Sequence, residues 1–418
     1  MTHLGRFFLL VFEMTISVIL NRYTIYKEGE IKMKNYFKSI GGGNEIGASS
    51  YYVYCNGKNF LFDAGIRNKE RQRYPSFSEL EKLETVDTLN DLNCVFLSHG
   101  HYDHNGALPL LATKMQEKKE IICSAYTKEF TNVQLNVLKK HKGIKSYSIY
   151  EDVMVDKVEN MLSDYPVGEK IEKNGYDFTF YKAGHIPGAV MTLVEVEGTK
   201  ILYTGDFSDK SYPLVSEYDL PEIKDLDLLI INSTSLSKTE DYYEYTWGDR
   251  DGTFKKALKE VVLYNEVNIE VNQINNGIEI ATLMAETLKN SDFNRLNIGI
   301  YVDEAIWQMM EIVYRLSPDF KLDIKKIDYE KIGTGERGIY IALKKINKIT
   351  KMRKININYS IHESYNGIKD LILKCNAKKT LITHYNGESK NTSPLIEDLN
   401  KAGYSNAEYV ENEKLYEF

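Results

Sequence analysis

Six short apolar runs in this chain each end on a residue able to carry charge or bind a cation. NFLF (59–62) runs into Asp63, CVFLS (94–98) into His99, FTFYKAG (178–184) into His185 and KILYTG (200–205) into Asp206. KININYSI (354–361) alternates with period two before His362, and KKTLIT (378–383) precedes His384. Runs of this length and composition predict strands. Between them the apolar spacing changes to three and four residues, which predicts helices over 105–115, 126–143, 252–265, 276–290, 303–317, 367–376 and 393–403. The 126–143 segment closes on Lys, His and Gly, as a helix C-terminus does. No internal repeat and no low-complexity linker interrupts the pattern. Strands interleaved with helices predict layered α/β architecture, in which loops at strand ends gather side chains along one rim.

Composition narrows the classes. At roughly 150 residues per domain, 418 residues predict two or three units. With 43% hydrophobic and 27% charged residues, the chain is neither disordered nor fibrous. Its 53 basic and 60 acidic residues give a net charge of −7, so contact with a polyanion must be local rather than a property of the whole surface. Cys55, Cys94, Cys123 and Cys375 are far apart and never form CxxC. They predict reduced core thiols in a cytoplasmic protein and exclude a zinc finger or disulfide scaffold. The apolar run 7–20 contains Glu13 and stops before Arg22. It is short of the roughly 20 residues a bilayer needs and lacks a small-residue cleavage site, so neither an anchor nor a signal peptide is expected. Residues 1–33 are therefore set apart as an N-terminal extension of uncertain status.

Histidine is the informative residue. Of eight, three fall in HGHYDH (99–104), and His185, His362 and His384 each follow an apolar run. The imidazoles and the carboxylate of HGHYDH cannot all reach one small ion without strain. Split as His99 with His101 and Asp103 with His104, they can serve two adjacent ions, each needing about four ligands. His185 and His384 can complete one ion each, and Asp206 can bridge both. Five imidazoles, two carboxylates and no thiolate favour zinc, with manganese or iron also accommodated. His141, on a Lys-rich helix end, reads as a surface residue, and GGG (41–43) as a tight turn.

These motifs carry a resemblance. FDAG (62–65), HGHYDH (99–104), AGHIPGA (183–189) and TGDFS (204–208), in that order, resemble the metallo-β-lactamase superfamily. GGGNEIGASS (41–50), SIHES (360–364) and THYNGES (383–389) resemble its β-CASP branch of nucleic-acid-processing enzymes, such as ribonuclease J and the cleavage/polyadenylation endonucleases. The resemblance implies a four-layer αββα sandwich, over 34–235 plus 354–418, interrupted by a short α/β cassette at 236–353. It implies that His99, His101, Asp103, His104, His185, Asp206 and His384 bind two divalent metal ions, most simply zinc. Asp63 becomes a carboxylate that orients ligands or the attacking water, Asp206 a catalytic as well as a ligating residue, and His362 the general acid. The implied reaction is phosphodiester hydrolysis, chiefly in RNA. The chain departs from the branch at Asn232 in INSTS (231–235), where the branch usually carries an acid. A neutral amide there can hydrogen-bond His362 but cannot assist it electrostatically.

The cassette is charge-balanced, with 18 basic and 19 acidic residues over 238–353. Its exception is KKINKITKMRK (344–354), six basic residues placed to track a phosphate backbone. Two rival readings stay open: a small-molecule metallo-hydrolase acting on a cyclic nucleotide, lactone or thioester, and a non-catalytic binding protein on the same scaffold.

Overall fold

Alternation along the strands decides how the layers stack. In the computed structural model, which describes residues 24–27, 30–67, 72–139, 149–236, 250–271, 274–343, 352–357 and 362–418, the strand Lys58–Phe62 sends Phe60 and Phe62 to one side and Leu61 to the other. Phe60 and Phe62 meet Phe96 from Cys94–Phe96 and Phe178, Phe180 and Tyr203 from a second sheet. Leu61 instead joins Val95, Leu108 and Leu111 under the helices. A strand apolar on both faces must be covered on both faces. The result is an αββα arrangement.

Each central sheet has seven strands among the described residues. The first runs Leu415–Glu417, Tyr36–Gly41, Ser50–Cys55, Lys58–Phe62, Cys94–Phe96, Ile121–Cys123 and Leu162–Asp164. The second runs Ala407–Tyr409, Lys379–Thr383, Leu228–Asn232, Thr199–Tyr203, Val190–Val196, Tyr176–Lys182 and Lys170–Lys173. Each sheet is antiparallel at one end and parallel at the other. The parallel strands Lys58–Phe62, Cys94–Phe96, Thr199–Tyr203, Leu228–Asn232 and Lys379–Thr383 point their carboxyl ends at a common rim. Those are four of the six apolar runs of the sequence, joined by Leu228–Asn232.

Helices form close to where the spacing predicts them: Ala125–Val137, Arg250–Tyr264, Ile274–Lys289, Glu304–Leu316, Tyr365–Cys375 and Leu395–Lys401. The stretch 105–115 is broken instead, into Tyr102–Asn105 and Leu108–Thr113, because the His-rich turn already begins to coil at Tyr102. The run 354–361 yields a strand only over Arg353–Ile355, with 358–361 outside the described residues. Two strands, Thr24–Lys27 and Glu30–Met33, form a hairpin inside the segment set apart as an extension. The apolar run 7–20, His3 and His141 lie outside the described residues. Among the described residues no helix is long and apolar enough to cross a membrane. All four cysteines are buried and none forms a disulfide.

A third sheet, wholly parallel, runs Ile324–Lys326, Gly299–Val302, Gly338–Leu343, Glu266–Val271 and Arg353–Ile355. Its helices share one hydrophobic cluster with the second sheet and the helix Ala125–Val137, through Leu202, Leu229 and Phe130 on one side and Met309, Ile312 and Val313 on the other. Tyr126 hydroxyl to Ser317 hydroxyl (2.7 Å) and Arg315 to Glu129 (2.9 Å) tie the same contact. Of the basic run 344–354, Arg353 pairs with Glu260 and lies over the Tyr264 ring, and Lys354 pairs with Glu270. These two charges are therefore balanced locally, while 344–351 lie outside the described residues.

Within this layer Glu279 is fully buried and neither of its carboxyl oxygens has a hydrogen-bond partner. Burial pushes its carboxyl up from an ordinary 4.5 to about 8. The folded chain then holds a proton that the unfolded chain has lost across that interval, so stability falls as pH rises through it, by about 1.4 kcal/mol per unit. Glu279→Gln abolishes this slope: denaturant unfolding finds the two proteins closest near pH 5, with the variant increasingly the more stable toward pH 8. Parallel curves for the two proteins would refute the assignment.

Candidate metal centre

The strand Lys58–Phe62 ends in a backbone turn at Asp63 with φ +60°, which swings the carboxylate inward beneath the HGHYDH loop. Gly65 lets that loop approach. A Cβ at this position would lie 1.6 Å from the Asp103 carbonyl oxygen, so no side chain fits. Ala64 N–H donates to the His104 carbonyl and Ser49 N–H to that of Asp103, locking the loop between two strand ends.

Seven sequence-selected side chains converge there in two groups. His99, His101, His185 and Asp206 present ligand atoms within 4.8 Å of one another, and so do Asp103, His104 and His384. In the first group His101 Nδ1 lies 3.0 Å from His99 Nε2 and 3.1 Å from His185 Nε2. Zinc–nitrogen bonds of about 2.0–2.1 Å hold tetrahedral ligand atoms about 3.3 Å apart, so the three nitrogens already stand close to a coordination edge. Asp206 Oδ2 is 3.7 Å from His185 Nε2 and 3.6 Å from His104 Nε2, between the two groups. His384 Nε2 is 3.5 Å from Asp103 Oδ2.

Unmet valence makes the fit specific. Asp206 Oδ2, His104 Nε2 and His384 Nε2 are buried without a hydrogen-bond partner, and all three face the clusters. Buried polar atoms rarely stay unsatisfied, and each such atom costs about 1–3 kcal/mol. A divalent cation in each group would satisfy them. Both groups are thus capable of holding one divalent ion.

The surrounding hydrogen bonds turn the rings toward the clusters. Asp63 Oδ2 accepts from His104 Nδ1 (2.7 Å), Ser98 Oγ (2.7 Å) and Tyr203 hydroxyl (2.6 Å), and Oδ1 accepts from Ser98 N–H (2.7 Å). With Nδ1 so engaged, His104 directs Nε2 to the second group. Both Asp63 oxygens are taken by protein donors, an arrangement suited to orienting ligands. Ser49 Oγ, 2.8 Å from His384 Nδ1, serves the other ring of that group, and His384 itself is held at φ +54° by a hydrogen bond from its N–H to the Gly42 carbonyl. Ser98 Oγ is 3.0 Å from His99 Nδ1.

Electrostatics separates the imidazoles. Burial, reinforced by the neighbouring rings, pushes His99 well below its ordinary range, and burial pushes His101 down to about 4. Both rings stay neutral with lone pairs free. Burial works against the charge of His104, but Asp206, Asp63 and Asp103 outweigh it and raise that ring well above its ordinary value. Burial alone would raise Asp206. His104, His384 and His362 reverse the sign and keep it an anion. Tyr203 stays a protonated donor, because burial and then Asp63 push its phenol up.

His362 lies at the edge, 26% exposed, with Nδ1 3.3 Å from Asp206 Oδ2 and its ring 4.8 Å from that of His185. Asn232 does not serve it as expected. The amide donates to Asp206 Oδ1 (3.0 Å) and to Tyr203 (3.5 Å), and its carbonyl accepts from Thr383 Oγ1 (2.9 Å). An acid here would set two carboxylates against each other; the amide pins Oδ1 and leaves Oδ2 facing the clusters. Ser49, Ser98, Tyr203, Thr383 and Glu363 escape a motif search, since hydroxyl and carboxyl residues beside metal-type motifs have no spacing of their own. Their only sequence signal is adjacency to the motifs.

Comparison with known proteins agrees with this geometry. Residues 43–212 match the family described as the metallo-beta-lactamase superfamily. Cleavage and polyadenylation specificity factor subunit 3 of Dictyostelium discoideum is 31% identical over 204 residues, covering 47% of this chain and 25% of that protein. Endoribonuclease YSH1 of Yarrowia lipolytica is 31% identical over 202 residues, covering 47% and 24%. The chain thus matches about a quarter of the length of these relatives. A solved structure of a protein of unknown function from Enterococcus faecalis V583 superposes with a TM-score of 0.61 at 12% identity, over 92% of this chain and all of that one, a likeness of fold.

Asp63→Asn keeps the volume but replaces a carboxylate that accepts four hydrogen bonds with an amide that must donate to some of the same groups. Zinc affinity, measured by chelator competition, falls by about 10–100-fold while the circular dichroism spectrum is retained. Unchanged affinity would show that Asp63 does not orient the donors.

Proposed function

Starting from the match of residues 43–212 to the metallo-β-lactamase superfamily, we propose that the chain is a metal-dependent hydrolase of the β-CASP type that cleaves phosphodiester bonds in RNA. The observation that carries the reading is the convergence of two donor groups on one carboxylate oxygen, Asp206 Oδ2, beside a half-buried histidine. The similarity to endoribonuclease YSH1 supports RNA as the substrate class.

When bound, a pair of divalent ions supplies hydroxide at neutral pH and stabilises charge on phosphoryl oxygens. The side chains account for the rest. His99, His101, His185 and Asp206 would hold one ion, and Asp103, His104 and His384 the other, with Asp206 within reach of both. Asp63 and Ser49 fix the tautomers and rotations of His104 and His384. His362, reaching the cleft edge, donates a proton to the departing ribose oxygen, whose basicity makes it a poor leaving group. Asn232 holds Asp206 with Oδ2 inward.

The parallel sheet, except for residues 354–355 of its last strand, belongs in this reading to the cassette at 236–353, and the two packed sheets to the domain formed by 34–235 and 354–418. Four buried cysteines that form no disulfide suit work in the cytoplasm.

Cleavage of a 5′-labelled RNA in the presence of zinc or manganese tests the proposal. His101→Ala and Asp103→Ala each abolish cleavage, and a chelator does the same to the unaltered protein, with recovery on metal readdition. Turnover that survives both substitutions would remove the mechanism. Hydrolysis of a lactone or a small diester with none of RNA would move the protein to the small-molecule class.

A further inference from the structure

Glu363 follows His362 in the chain, and only 4% of it is exposed. Its carboxylate accepts two short backbone hydrogen bonds, from Asp209 N–H to Oε2 (2.6 Å) and from Ser364 N–H to Oε1 (2.6 Å). Asp209 lies three residues after Asp206 in the loop that follows the strand Thr199–Tyr203, and Ser364 caps the helix Tyr365–Cys375 through its hydroxyl on Gly367 N–H. One carboxylate therefore ties the loop carrying Asp206 to the helix start carrying His362. Gly367 makes room for it, since a Cβ there would lie 2.2 Å from Glu363 Oε1.

The side chain is expensive where it sits. Burying a carboxylate is unfavourable unless it is well hydrogen-bonded, and an apolar residue would fill the same volume without that cost. The gain is a fixed distance. Asn232 directs its amide to Asp206 and Thr383, so the side chain at position 232 holds Asp206. Asn232, Thr234, His362 and Glu363 close around a cavity of about 10 Å³. That is room for one water molecule at most.

We propose that Glu363 is a positioning residue for His362, clamping the 206–209 loop to the first turn of the helix Tyr365–Cys375 so that the imidazole stays against Asp206. The inference rests on the phosphodiesterase reading and on His362 as the proton donor to the leaving oxygen. It says how this chain holds its acid without an acidic residue at position 232.

The leaving group provides the test. A ribose oxygen needs a proton as it departs, whereas p-nitrophenolate does not. The zinc-loaded protein, Glu363→Ala, Glu363→Gln and His362→Ala are compared on labelled RNA and on bis-p-nitrophenyl phosphate, with bound zinc measured for each. The expected result for Glu363→Ala is a loss of about 100-fold in kcat on RNA, with KM and zinc content near the unaltered protein's and a much smaller loss on the activated diester. His362→Ala gives the same split. Glu363→Gln keeps one acceptor oxygen and falls between, and it carries the test if the alanine variant does not fold. Equal losses on both substrates, or loss of zinc in step with activity, would show a purely structural clamp and overturn the positioning role. Undiminished cleavage of RNA by both Glu363 variants would overturn it too. An unaltered protein inactive on both substrates would instead remove the phosphodiesterase reading.

Discussion

The Asp63 carboxylate is the constraint on which the site depends. It stands where the two packed sheets meet, receiving Ser98 and His104 from the first sheet's loop and Tyr203 from the second sheet's strand end. Three donors on one oxygen, all buried, leave little rotational freedom to any of them. Charge-assisted hydrogen bonds of this kind are about twice as strong as neutral ones. The sheets are therefore registered against each other at the point where donors from both must converge, and the positive φ of Asp63 is the local distortion that makes the meeting possible.

The rim was legible in the sequence for a physical reason. Strand ends, apolar on both faces and followed by a polar side chain, leave a short apolar run that stops abruptly, and Asp63, His99, Asp206 and His384 stand within three residues of such stops. The grouping of donors followed from the short reach of adjacent residues in HGHYDH. What the pattern could not carry was everything set by contact across the chain. Asn232 illustrates this: its type suggested a link to His362, yet the packing of Leu228–Asn232 between Thr199–Tyr203 and Lys379–Thr383 turns it to Asp206 and Thr383. Glu363 was equally invisible, since nothing in SIHES distinguishes a surface glutamate from a buried one.

The parallel sheet of 266–355 was legible as helices more than as strands. Its helices have long, regular apolar spacing, whereas Glu266–Val271 and Gly299–Val302 are short and partly polar. Charge balance across 238–353 is reflected in the pairing of Arg353 and Lys354 with Glu260 and Glu270, which ties part of the basic run to its own layer rather than to a ligand. The buried Glu279 belongs to the same layer and to no pattern. A carboxyl enclosed without partners has no counterpart in hydrophobic periodicity.

The second donor group spans the chain: Asp103 and His104 belong to its first third, while His384 follows a strand laid down after the parallel sheet of 266–355. A polypeptide emerging from the ribosome owns the first group's histidines early but lacks the partner that finishes the second. Closing so long a loop adds little entropic penalty over a shorter one, because that penalty grows only with the logarithm of length. Synthesis order thus leaves the second donor group incomplete until the strand Lys379–Thr383 has been made.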